Sequence, residues 1–241
     1  MGEHMTPARH GARLTERRQL HAAVEAFRVR DQTNRVLRQL RERILEGAYR
    51  PSESLPEQAL AGELGASRNT VRKALLRLES ENLITIEDNK SAKVRAFSLD
   101  EVLQYLEVRE VLEGLAVRQS APRLVENDLA EMRRILGEMR GCLESNRFLE
   151  YSQNNWRFHE IIYRVCPNRP VVEMIMTIKQ QLKRYNLKTV LVPGRGAGSF
   201  SEHEGILAAL ERRDADAAEA EVRRHIASMR GLLREHHALL F

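Results

Sequence analysis

Long apolar runs, aromatic side chains and cysteines are all scarce in this chain of 241 residues. No stretch approaches the roughly 18 consecutive apolar residues of a membrane-spanning helix, so no membrane partner is expected. The first 30 residues place Arg9, Arg13, Arg17 and Arg18 among polar neighbours and lack the apolar core of a secretory signal, which points to the cytoplasm. Two cysteines, Cys142 and Cys166, cannot make a disulfide framework. Aromatics are only 5% of the chain, while Leu, Ala, Glu and Arg abound, the composition of a mainly α protein. HExxH, GxSxG and a phosphate-cradling glycine loop are missing too. The glycines of 194–198 are not followed by Lys-Ser/Thr.

The net charge of +5 is unevenly placed. Residues 1–30 hold six Arg against three acids, residues 31–97 twelve Lys/Arg against ten, and residues 98–241 twenty-one of each. All the excess positive charge therefore precedes residue 98, where a polyanion would meet it. The chain reads as a basic extension over 1–30, a first domain over 31–97 and a second over 98–241.

In the first domain Val36, Leu37, Leu40, Ile44 and Leu45 keep helical spacing until Gly47. Tyr49–Ser52 is a turn. A short helix opens at Pro56, with Glu57–Leu64 stopped by Gly65. Ser67 is a good N-cap for a helix through Ser80, and Val71, Ala74, Leu75 and Leu78 share one of its faces. Leu83–Ile86 and Ala92–Ala96 read as two strands around a turn at residues 88–91. Three helices and a hairpin make a winged helix-turn-helix, whose third helix would enter the major groove by its N-terminal end. That end carries Arg68, Asn69, Thr70, Arg72 and Lys73, side chains suited to base edges and phosphates. The plainer alternative, a solvated basic face, leaves the agreement of turn, cap and hairpin unexplained.

The segment Ile44–Pro51, then Leu55-Pro56-Glu57, then Leu60–Glu79 resembles the GntR family of bacterial transcription regulators. The resemblance covers residues 34–96 and implies DNA-contacting positions at Gln58, Ser67, Arg68, Asn69, Thr70 and Arg72, and at Asn89 and Lys90 in the wing. Ser52 and Asn82 stand where the family usually has glycine, and Lys73 where it has glutamate.

The second domain shows no strand pattern. Ser98 and Glu101 form a capping box. Helices are expected from there to Ala121-Pro122, then over Glu126–Ser145, Phe148–Val165, Pro170–Val190, Ser199–Arg212 and Asp214–Leu239, with loops at Pro167–Pro170 and Val192–Gly198. An antiparallel bundle of six or seven helices follows. It is similar to the FCD-type effector domain of the FadR subgroup, on Val108–Glu113, Phe158-His159, Glu202-His203 and Arg224-His225.

Three histidines, His159, His203 and His225, come from three different helices and can converge inside a bundle. Three imidazoles and an oxygen suit a divalent transition metal such as zinc, nickel or manganese. Asn155 shares a helix face with His159 and is either the candidate fourth ligand, where the family pattern has aspartate, or a direct hydrogen-bond partner of the effector. Arg109 and Glu113, four apart, are either a surface ion pair or, as the resemblance implies, inward groups that meet a small organic-acid effector. Arg184 and Tyr185 are weaker effector candidates. The expected protein is thus a homodimeric regulator that binds double-stranded operator DNA under control of an acid. Two other classes stay open: a metal-dependent enzyme built on the three histidines, and a DNA-binding protein without a ligand.

Overall fold

The computed structural model describes residues 31–87, 91–183 and 189–237. The chain divides into two compact units, one ending at Ala96 and the other starting at Phe97. The expected extension over 1–30 and the wing residues Asn89 and Lys90 lie outside the described residues, as do Arg184 and Tyr185.

In the first unit helix α1 covers residues 31–45, followed by β1 (Ser54–Leu55), α2 (Glu57–Leu64), α3 (Arg68–Ser80), β2 (Ile84–Thr85) and β3 (Ala92–Val94). Pro56 is the residue before the first turn of α2, and Gly65 ends that helix in the left-handed region at φ 57°, where a Cβ would be strained. Ser67 caps α3 by accepting the Thr70 N–H at 3.1 Å. Leu40, Leu55, Leu75, Leu78 and Ile84 fill the core between these elements. The sequence reading missed β1. It joins β3 on the side opposite β2, giving an antiparallel sheet in the order β1-β3-β2. Two residues are too short to show alternation, and only tertiary pairing makes Ser54–Leu55 a strand.

The second unit holds α4 (Leu99–Ser120), a 3-10 turn at Ala121–Arg123, α5 (Glu126–Glu144), α6 (Phe148–Val165), α7 (Arg169–Gln181), α8 (Arg195–Glu211) and α9 (Ala215–Glu235). The Ser98–Glu101 capping box is formed in both directions. Helix α4 lies along α9, and Gly114 permits the approach: a Cβ there would meet Arg223 Nε at 2.8 Å. Tyr151, Phe158, Met132, Ile135 and Met139 form the main core, and Leu106, Ile178, Ile226 and Leu233 a second cluster beside it.

Two expected boundaries move. Helix α7 stops at Gln181 instead of running to Val190. The glycine-rich segment is not a loop throughout, because α8 opens at Arg195 directly after Gly194 at φ 80°. Arg195 is buried there and bonded to Glu202 and Ser228, tertiary contacts that outweigh the low helix propensity of Gly196 and Gly198.

Ser52 and Asn82, which replace the usual glycines, both adopt positive φ, 64° and 57°. Asn tolerates this region, and its side-chain oxygen is also anchored by Arg95 at 2.8 Å; Ser52 is held through its backbone N–H, which donates to the Val94 carbonyl at 2.9 Å, and not through a side-chain hydrogen bond to another described residue. Relief of the left-handed strain should exceed the extra chain entropy of glycine. Ser52→Gly is expected to raise unfolding stability by about 0.5 kcal/mol, and the β-branched Ser52→Val to lower it by about 1–2 kcal/mol. Urea unfolding of the full chain measures both; a Val variant as stable as the parent would contradict the strain.

Candidate DNA-reading face and histidine centre

On the first unit, α2 and α3 present one exposed polar face. Gln58, Arg68, Asn69, Arg72 and Lys73 are all exposed. Glu57 reaches toward both guanidiniums, 3.6 Å from Arg68 Nη2 and 3.9 Å from Arg72 Nε. The two arginines are two-thirds or more exposed, so these are weak, screened contacts that leave both free to move to a stronger anion. Thr70 differs from expectation. It is buried, and its hydroxyl pairs with that of Ser67 at 2.9 Å. Both residues belong to the N-terminal cap of α3, and Thr70 does not project from the outer face.

In the second unit the three histidines meet. Their ring nitrogens lie within 4.8 Å of one another, and all three side chains are buried. His159 comes from α6, His203 from α8 and His225 from α9. His159 Nε2 stands 3.1 Å from His203 Nε2. The outer nitrogens are engaged: His203 Nδ1 faces the Ser199 carbonyl at 2.6 Å, and His225 Nδ1 faces Glu202 Oε2 at 2.7 Å. Nδ1 must donate in both, so each Nε2 keeps its lone pair on the inner side. Burial lowers all three imidazole pKa values, His203 to about 3 and His159 well below the ordinary value. They are therefore neutral at pH 7, the form that ligates metals.

Charges surround the rings in pairs. On α4, Val102, Leu106, Arg109, Glu113, Ala116 and Ser120 form one buried stripe, and Arg109 and Glu113 are only 3% and 1% exposed. Arg109 Nε donates to Glu113 Oε1. Burial raises the Glu113 carboxyl, but Arg109 and Lys179 more than offset it and hold it at about 2. Its other oxygen is 3.7 Å from His159 Nδ1. The inward option for this pair is the one observed. Arg195 Nη1 donates to both oxygens of Glu202, at 2.9 and 3.0 Å, and so fixes the carboxylate that orients His225. Burial raises Glu202 too, and hydrogen bonds from His225 and Arg195 reverse the effect, to about 2.

Among the described residues, three buried side-chain atoms of this group have no hydrogen-bond partner: Asn155 Oδ1, Arg109 Nη1 and Glu113 Oε2. Orphaned buried polar atoms are costly and call for a ligand. Asn155 sits one turn before His159, so its acceptor oxygen and the converging lone pairs fit a cation. The Arg109 donor fits an anion.

Lys179, Tyr163, Arg195 and Ser199 escaped the sequence reading, and Glu202 entered it only beside His203 in the family resemblance. A signal existed for Lys179: with Ile175, Ile178 and Leu182 it falls on the apolar stripe of α7, where a solvated lysine does not belong.

A three-helix, three-stranded unit with an exposed basic helix, joined in one chain to a helical unit built around a buried polar cluster, defines a DNA-binding transcription regulator. The family model described as the FCD domain matches residues 104–228, and that for bacterial regulatory proteins of the gntR family matches residues 32–94. The chain belongs to the GntR family of bacterial transcription regulators, in the group that carries an FCD domain. It is similar to the Galactonate operon transcriptional repressor of Escherichia coli (strain K12), 27% identical over 228 residues that cover 85% of this chain and 98% of that one. The HTH-type transcriptional repressor RspR of the same organism is 22% identical over 200 residues, 83% of this chain and 88% of the repressor. Among solved structures, E. coli McbR/YncC shares the fold with a TM-score of 0.70 at 22% identity, covering 86% of this chain and 98% of that one. These relatives are regulators and not enzymes, so the metalloenzyme alternative falls away.

The buried Arg109–Glu113 pair gives a stability test. Arg109→Met leaves a carboxylate buried without its partner and should cost about 3–5 kcal/mol, whereas the double variant Arg109→Met/Glu113→Leu should recover most of it. Thermal unfolding of the parent, Arg109→Met, Glu113→Leu and the double variant checks this; an additive double variant would show that the pair is not coupled.

Proposed function

We propose that this regulator senses a small organic acid at a divalent transition metal held by His159, His203 and His225, with Asn155 as the fourth ligand. The observation that carries the reading is the convergence of three neutral imidazoles, two with their outer nitrogens already engaged, beside a buried and unpartnered Asn155 oxygen. Zinc, nickel or manganese would suit this donor set. Such an ion supplies positive charge and open coordination positions. The chain supplies the rest: Glu202 and Ser199 hold the rings in one tautomer, Arg195 fixes Glu202, and Arg109 Nη1 offers the donor that orients a carboxylate. Glu113 serves the effector by aiming Arg109.

In this reading the first unit binds operator DNA. Gln58, Arg68, Asn69 and Arg72 form the reading face, Ser67 and Thr70 set the helix cap behind it, and Asn89 and Lys90 of the wing add contacts. Residues 1–30 add nonspecific phosphate contacts. A cytoplasmic homodimer reading a palindrome is the expected assembly, since two-fold symmetry pairs two recognition helices with two half-sites. Acid binding can shift operator affinity by no more than its differential affinity for the two conformations. A ligand-independent DNA-binding protein would have no use for the buried chamber.

Arg68→Ala and Arg72→Ala should each weaken specific operator binding by about 1–3 kcal/mol. Glu57→Gln should instead tighten it a few-fold, because a competing carboxylate is removed. Operator titrations at fixed salt measure all three, and unaltered affinity in both arginine variants would remove α3 from the groove.

Elemental analysis after metal loading and desalting tests the centre. The wild-type chain should retain about one ion, Asn155→Asp should hold it more tightly, and His203→Ala should lose it. A wild-type protein that retains none would make the histidines direct hydrogen-bond partners of the acid and overturn the metal reading.

A further inference from the structure

The chamber holds one cation too many. The ionisable groups that act on the three imidazoles are Arg109, Lys179, Arg195, Glu113 and Glu202. Arg109 is paired with Glu113 and Arg195 with Glu202. Lys179 is only 6% exposed, and no carboxylate among the described residues lies within salt-bridge distance of its ammonium. Its Nζ donates to the Tyr163 hydroxyl at 3.1 Å and stands 5.0 and 5.1 Å from the Trp156 and Tyr163 rings. Those two residues flank His159 on α6, three before it and four after, so the ammonium sits at the level of the histidine centre. Apart from the two ring faces, two of its three N–H donors have no acceptor among the described residues. Arg109 Nη1 is the second idle donor facing the same carboxylate and the same imidazole.

A buried ammonium needs a counter-charge: burial, which Glu113 opposes only in part and Arg109 reinforces, pulls Lys179 down to about 7. One carboxylate at the histidine centre, oriented by Arg109, leaves Lys179 as it was. A second acidic group pairs it. We propose that Lys179, together with Arg109 Nη1, makes the chamber selective for an effector with at least two acidic groups, and that Lys179 binds the second. This inference rests on the organic-acid reading above and narrows it to dianionic acids. Trp156 is the only tryptophan in the chain and lies against the ammonium, so its emission reports on whether Lys179 is engaged.

The test uses the full-length, zinc-loaded protein and pairs of acids that differ by one carboxylate: propionate and malonate, butyrate and succinate, lactate and malate. Calorimetry gives the affinities, and Trp156 emission is followed in parallel. At least one diacid should bind roughly ten- to a hundredfold more tightly than its monoacid partner, the range of a charge-assisted hydrogen bond, and should change Trp156 emission. Lys179→Met should bring that ratio to within about threefold and abolish the emission change while zinc content stays at the wild-type level. Lys179→Arg, which keeps the charge, should preserve a diacid preference. Equal binding of monoacids and diacids by the wild-type protein would overturn the inference with no variant needed, as would a Lys179→Met protein that folds and keeps the full ratio. Failure of every acid to bind, with zinc retained, would overturn the organic-acid reading itself.

Discussion

The second unit is organised by the burial of three neutral imidazoles against two carboxylate–cation pairs. A neutral ring can be buried, but its donor and acceptor must both be used. The Ser199 carbonyl and Glu202 take the outer donors of His203 and His225. Glu202 is itself a charge and requires Arg195, which in turn fixes where α8 begins. Glu113 requires Arg109, and the pair sits on the buried stripe of α4, whose other members are apolar except for Ser120. Each satisfied group thus recruits the next, and helices α4, α6, α8 and α9 are tied to one centre by polar contacts as well as by packing.

This arrangement explains why the remaining unsatisfied atoms are informative. In a core where most acceptors and donors are matched, Asn155 Oδ1, Glu113 Oε2, Arg109 Nη1 and the spare donors of Lys179 are the positions on which the proposed metal and acid rest. Two are acceptors and the others are donors, a mixture that both a cation and an acid would satisfy. The first unit follows the opposite logic. Its α3 buries Val71, Ala74, Leu75 and Leu78 and keeps Arg68 and Arg72 outside, loosely held by Glu57, where a denser anion can displace the carboxylate.

The first unit was legible because its signals are local. A cap at Ser67, a stop at Gly65 and helical spacing in α1 and α3 act within one or two turns of chain. Glycine-like positions at Ser52 and Asn82 could be placed from the family pattern, although only the backbone shows that both residues hold φ near 60°. The miss at Ser54–Leu55 has the same origin: a two-residue strand has no period of its own and exists through pairing with β3. Thr70 reads as a contact residue from its place in the basic run, yet the cap turns it inward.

For the chamber, sequence spacing set His159, His203 and His225 on separate helices and suggested that they converge, but distance between helices is a tertiary quantity. The choice between a surface and an inward Arg109–Glu113 pair was equally open, since an i,i+4 spacing is the same on either face of α4. Arg195, read as part of a glycine-rich loop, and Lys179, one cation in a long helical stretch, gained meaning only when packing buried them. Composition, periodicity and capping therefore determined the mainly α class, the helix boundaries of the first unit and the exposed basic face of α3, because these depend on interactions between near neighbours. Which polar groups are desolvated together, and hence which need a metal, a counter-charge or a ligand, was decided by the tertiary structure, because desolvation depends on what the rest of the chain places around them.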